Sequence, residues 1–115
     1  MSRDPRVYLE DVLESIRRIK TYVGGIDQES LGADELRLDA VVRNLEVIGE
    51  AVKQLPEQIT QQQSHVEWRK IAGLRDILIH HYFGIDVGII WDVVQNKLPS
   101  FEGQIRSILD SLDDG

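Results

Sequence analysis

A chain of 115 residues with 42% hydrophobic side chains, 29% charged ones and only 3 prolines suits a single globular domain, spanning residues 1–115, that buries a core without covalent staples. It has no cysteine, which excludes disulfides, thiolate zinc sites and cysteine nucleophiles, and its net charge of −7, from 13 basic and 20 acidic residues, argues against nucleic-acid binding through bulk electrostatics. No apolar run approaches the roughly 20 residues of a membrane span, and Met1-Ser2-Arg3-Asp4-Pro5 lacks the apolar core of a signal peptide; the expectation is a cytoplasmic protein without membrane contact.

Taken in chain order, Asp4 followed by Pro5 is a helix start, because the carboxylate can accept from free amide donors and proline suits the first turn. Leu9, Val12, Ile16, Ile19 and Val23 then recur in steps of three and four, which puts them on one helical face, and Gly24-Gly25 ends the element. The polar run Asp27-Gln28-Glu29-Ser30 makes a connection with room for one helical turn. A second long helix opens near Asp34 and runs to Leu55 on Leu38, Val41, Leu45, Ile48, Val52 and Leu55, with Pro56 closing it. Asn44 and Glu50 lie beside its apolar stripe and read as surface or interhelical hydrogen-bonding groups, or as supports for a nearby site.

Residues 57–66, with Gln61-Gln62-Gln63-Ser64, are the most loop-like stretch of the chain. A central helix follows from Trp68 and is expected to stop at Gly84, with Asp86 capping the next one. Val87, Ile90, Trp91, Val94 and Leu98 trace another helical face until Pro99, which should break the run, and Phe101, Ile105, Ile108, Leu109 and Leu112 support a last helix. No stretch alternates with period two. The expected fold is therefore all-α, an antiparallel bundle of four to five helices.

Function concentrates in Arg75-Asp76-Ile77-Leu78-Ile79-His80-His81-Tyr82. Arginine offers a fixed fork of donors suited to phosphate, and histidine exchanges a proton near neutrality. Together they can hold a phosphodiester and assist attack by an RNA 2′-hydroxyl without a metal. The surroundings help, since between residues 66 and 81 Arg69, Lys70 and Arg75 face only Glu67 and Asp76, whereas residues 21–63 hold eight acids against three bases. Geometry sets a condition: at about 100° per residue His80 lies some 140° around a helix from Arg75, while Tyr82 lies only some 20° away. Arg75 and His80 meet only if the helix distorts before Gly84 or if two subunits complete a common cleft. Taken alone, an arginine five residues before a histidine also reads as a structural pair. Adjacent histidines point apart on a helix, and no carboxylate pair joins His80 and His81, so neither a metal nor a cofactor is expected.

Three stretches carry a resemblance that covers the chain from about Tyr8 to Phe101. They are Asp39-Ala40-Val41-Val42-Arg43-Asn44-Leu45-Glu46-Val47-Ile48-Gly49-Glu50-Ala51, the run from Trp68 through Arg75, His80 and Tyr82 to Asp86, and Ile90-Trp91-Asp92 with Leu98-Pro99. Together they resemble the HepT-like family of HEPN-domain proteins. The resemblance implies a helical bundle that forms a homodimer or higher oligomer, with an Arg-x4-6-His-x-Tyr motif at a cleft between subunits. It also implies the toxin of a prokaryotic toxin–antitoxin pair, acting on RNA as a metal-independent ribonuclease. The partner is a nucleotidyltransferase antitoxin of the MNT type, which transfers AMP to the motif tyrosine. On that basis Arg75 binds phosphate and stabilises the transition state, His80 transfers protons and Tyr82 is the modified residue. Asp76 stands at the polar position after the arginine and His81 at the variable position before the tyrosine, while Asn44 and Glu50 match recurrent residues of the second helix. A rival reading makes the chain a non-catalytic helical partner that positions substrate for a separate nucleotidyltransferase.

Overall fold

The structure, a computed structural model, describes residues 4–74, 76 and 86–113, and among them there is no strand. The first helix, α1 (Pro5–Val23), starts as its sequence requires: the Asp4 carboxylate accepts from the Arg6 amide at 2.9 Å. It ends at Gly24, after which Gly25 adopts a φ of 77°, a left-handed conformation open to glycine at no steric cost. A short helix, α2 (Gln28–Ala33), fills the connection under an Asp27 cap whose side chain accepts from the Ser30 amide at 2.8 Å. Asp34 then ends α2 and caps α3 (Glu35–Lys53), accepting from the Arg37 amide at 3.0 Å.

The core forms where α1 and α3 face each other. Leu9, Val12 and Ile16 from α1 and Val41, Leu45 and Ile48 from α3 have no exposed surface at all. The last long element, α7 (Leu98–Asp113), contributes Phe101, Ile105 and Ile108 to the same core. Its direction is fixed by contacts at both ends. Arg6 donates to the carbonyl of Leu112 at 2.8 Å and pairs with Asp113 at 3.2 Å, while Lys20 pairs with Glu102. The start of α1 therefore meets the end of α7 and the reverse, an antiparallel pair.

Two expectations need correction. Residues 57–62 are helical (α4, Glu57–Gln62): Ile59 is buried and its amide bonds the Pro56 carbonyl at 3.0 Å, so one apolar anchor is enough to order a turn too short to show periodicity. The chain is also not broken at Pro99. Helix α6 (Val87–Asp92) passes through a π-helical segment, Val93–Lys97, straight into α7. Proline has no amide hydrogen to donate and its ring collides with the carbonyl four residues back. The widened turn shifts the ladder just before that point: the Leu98 amide bonds the Val93 carbonyl five residues earlier. Ile90, Val94, Leu98, Phe101 and Ile105 keep facing the core across the junction. Asp86 does cap α6, accepting from the Ile89 amide at 3.2 Å.

On the outer face of α1, Arg17 and Arg18 both reach the carboxylate of Glu14, Arg17 at 2.6 and 2.9 Å and Arg18 at 3.2 Å. The Arg17 hydrogen bonds, then those of Arg18, hold the Glu14 carboxyl at about 2, below its ordinary 4.5. A carboxyl depressed in the folded state stabilises it above the unfolded value and loses that contribution as the pH falls through the folded one. Glu14→Gln should therefore lower stability slightly at pH 7, where the ionised carboxylate of this exposed cluster contributes in full, change little near pH 2, and so flatten the acid limb of the stability curve between about pH 4.5 and pH 2, as read by denaturant midpoints across that range. In the core, Ile48→Ala should cost about 2 to 5 kcal/mol, the usual range for emptying a packed site, and chemical denaturation measures it directly.

Candidate functional site

The segment that leads into the motif is α5 (Trp68–Ala72), and the tertiary structure grips it at its first residue. The Trp68 indole donates Nε1–H to the carbonyl of Gln63 at 3.0 Å, and its ring stands edge-on to Phe101 of α7, with centroids 6.0 Å apart and planes at 80°. An aromatic pair in that geometry adds about 0.5 to 1.5 kcal/mol beyond the area it buries. Ile71 is buried one turn later, so the amphipathic spacing Trp68, Ile71 also orients the helix against the core.

The helix expected to run unbroken from Trp68 pauses at Gly73. The Gly73 amide bonds the Arg69 carbonyl at 2.9 Å and closes α5, and helical backbone resumes at Leu74 and Asp76. Leu74 is buried and Asp76 exposed, as two residues about 200° apart around a helix must be. Arg75, His80, His81 and Tyr82 lie outside the described residues, as do Gly84 and the expected helix end.

Of the supporting residues, Asp76 presents its carboxylate to solvent. Asn44 is buried at 7% exposure, and its Nδ2 donates to the Ala40 carbonyl of its own helix at 2.8 Å. Glu50 lies 3.9 Å from Lys53, one turn on. Six residues place Asn44 and Glu50 about 120° apart around α3, so a single ligand group does not engage both through one face. Arg69 and Lys70 are exposed in the last turn of α5, where the helix dipole favours cations, and Lys70 pairs with Glu67 at 3.5 Å.

A group that periodicity does not mark lies beside α5. A cleft of about 250 Å³ opens between α5 and the π-helical segment, with His65, Asn96, Lys97, Ser100 and Gln104 on its rim. The one signal for it in the sequence is Pro99 inside a helical run. Among the described residues no three of His, Asp or Glu gather as metal ligands would, and no helix is long and apolar enough to cross a membrane.

Comparison with known proteins adds independent observations. The family model described as Ribonuclease HepT-like matches residues 12–108, a span that includes positions 75–82. The chain is 43% identical over 107 residues to a putative RNase of Caldanaerobacter subterraneus, covering 93% of this chain and 96% of that protein. It is 38% identical over 108 residues to a probable ribonuclease HepT of Thermococcus cleftensis, covering 94% and 98%. A gamma-glutamylcyclotransferase and putative RNase of Methanocaldococcus jannaschii is 38% identical over 113 residues. That match covers 98% of this chain but 51% of the relative, so the chain spans about half the length of that protein. No solved structure matches the chain.

Proposed function

This chain belongs to the HepT-like ribonuclease family, and from that premise we propose that it is a metal-independent endoribonuclease, the toxin of a toxin–antitoxin pair, neutralised by AMP transfer to Tyr82. The observation that carries the reading is the family match over residues 12–108, a span that includes Arg75, His80 and Tyr82. The relatives named as a putative RNase and a probable ribonuclease, aligned over nearly their whole length, support the same activity.

In the proposed reaction the Arg75 guanidinium holds the scissile phosphate through paired hydrogen bonds and offsets the charge that builds on its oxygens. His80 moves the protons. The 2′-hydroxyl gives up its proton and its oxygen forms a bond to phosphorus, while the bond from phosphorus to the 5′-oxygen breaks and that oxygen takes up a proton. The products are a 2′,3′-cyclic phosphate and a free 5′-hydroxyl, and no water or metal is consumed. His81 stands beside the acid–base residue and Asp76 beside the arginine, where each supports its neighbour. A homodimer supplies a common cleft, one of the two ways to bring Arg75 and His80 together, and the run Ile77-Leu78-Ile79, apolar on more than one side, suits a self-complementary two-fold interface.

Regulation follows from where Tyr82 falls in the chain. Seven residues bring it back to about the azimuth of Arg75, two turns along a helix. Transfer of AMP from ATP forms a bond between the phenol oxygen and phosphorus, releases pyrophosphate and frees the phenol proton. The product places bulk and a negative phosphate beside the cation that should receive RNA.

Three outcomes test this reading. Arg75→Ala and His80→Ala should each lower RNA cleavage by purified protein about 10² to 10⁴-fold while circular dichroism stays helical; if both cleave like the parent, the non-catalytic partner reading replaces this one. Light scattering should give a dimer at micromolar concentration, and a fully active monomer would remove the shared cleft. Incubation with the cognate nucleotidyltransferase, ATP and magnesium should add AMP to the peptide containing Tyr82 and stop cleavage. Full inactivation with that peptide unmodified would point instead to occlusion.

A further inference from the structure

We propose that the cleft between α5 and the π-helical segment is a single-stranded RNA subsite, in which Lys97 takes a backbone phosphate and the side-chain amides of Asn96 and Gln104 read a base. The kind of ligand rests on the ribonuclease reading above; the site itself rests on the geometry of described residues that are not part of the motif. At about 250 Å³ the cleft is smaller than sites that enclose a drug-sized molecule, and it suits one base or sugar-phosphate unit laid across it. Its floor is apolar, made by Ile71 and Phe101, and its rim is polar. That combination fits an unstacked base, which has an apolar face and a hydrogen-bonding edge, as single-stranded RNA presents it.

The chemistry of the rim is specific. Asn96 donates Nδ2–H to the Asp92 carboxylate at 2.7 Å. A carboxylate only accepts, so this bond holds the amide nitrogen at Asp92 and leaves the Asn96 carbonyl oxygen as the acceptor, able to receive the exocyclic amino group of a base. Gln104 offers both donors and an acceptor further along the same wall, and Ser100 between them adds a hydroxyl. Lys97 is exposed and, among the described residues, has no ion-pair partner. Glu67, the acid at the same cleft, already pairs with Lys70 at 3.5 Å, which offsets the local charge that would repel a phosphate.

Two further observations place the cleft in a working position. Asn96 and Lys97 belong to the π-helical segment, and such widened turns occur frequently at functional sites because the extra residue re-aims side chains that an α-helix would point elsewhere. The floor residue Ile71 sits on α5, and position 75 follows it by four residues, so RNA held here lies along the helix that leads into the motif.

The test uses full-length protein and short 2′-O-methyl oligonucleotides of A, C, G and U, which bind but cannot be cleaved because the 2′ nucleophile is capped. In amide-detected NMR titrations the side-chain amides of Asn96 and Gln104 and the backbone amide of Ser100 should shift with saturation. Lys97→Ala should weaken all four oligonucleotides alike and reduce the salt dependence of binding by about one phosphate contact. Asn96→Ala should narrow the preference among bases by about fivefold, the lower end of what a base contact supplies. In cleavage of natural RNA, Lys97→Ala should raise KM and keep kcat. Unshifted cleft amides together with an unchanged salt slope in Lys97→Ala would overturn the subsite. Saturable shifts at the cleft in a protein that cleaves no RNA would sink the ribonuclease reading and uphold the subsite, so the two fail separately.

Discussion

Everything in this structure depends on the seam where α1 lies against α3. Leu9, Val12 and Ile16 on one side and Val41, Leu45 and Ile48 on the other are completely enclosed, and at interior packing density neither helix can rotate without opening voids. The azimuth of α3 thereby becomes fixed, and with it the side that receives α5. The loss of fit on emptying one of these positions exceeds what any surface ion pair in the molecule returns. The ion pairs do different work. Arg6 with Asp113 and Lys20 with Glu102 pin opposite ends of α7 to α1 and select the antiparallel arrangement of two helices whose apolar stripes alone would tolerate either direction.

A protein with a net charge of −7 that acts on RNA must keep its acids away from the approach path or neutralise them. The chain does both. Its acidic excess falls on α2, α3 and their flanks, where Asp27 and Asp34 are occupied as helix caps. Near α5, Glu67 is balanced by Lys70, and Arg69 and Lys97 remain exposed. An incoming phosphate meets mainly the charges within a Debye length, about 10 Å at 0.1 M salt, so which helices neighbour each other matters beside the overall sign.

The passage through Pro99 shows how a local conflict is absorbed without breaking an element. A break there would have left Phe101, Ile105 and Ile108 on a separate helix with two free ends to satisfy. A π-helical segment instead lets one helix continue, keeps the buried face of Ile90, Val94 and Leu98 in phase with that of α7, and confines the distortion to exposed Gln95, Asn96 and Lys97. The same accommodation gives the cleft beside α5 its polar rim. A similar economy holds at Gly73, where α5 closes and helical backbone resumes at Leu74.

Three-four spacing determined the long helices and their buried faces, and local residue chemistry the caps at Asp4 and Asp86, because each depends on residues within a turn or two of one another. The spacing of Arg75, His80 and Tyr82, set within a run of family-like residues, likewise carried the ribonuclease reading that the family match supports. Only the tertiary structure decided the helix at Ile59, the unbroken path through Pro99, the pause at Gly73 and the inward turn of the Asn44 amide onto its own helix. In each case the local preference was weak or contrary, and the outcome was set by what the residue packs against: an apolar pocket for Ile59, a shared core face across the proline, and a buried seam in which Asn44 bonds the Ala40 carbonyl of its own helix. The cleft rimmed by Asn96, Lys97 and Gln104 belongs to the same class, since its walls come from α5, the π-helical segment and α7, and meet only once the α1–α3 seam has positioned all three.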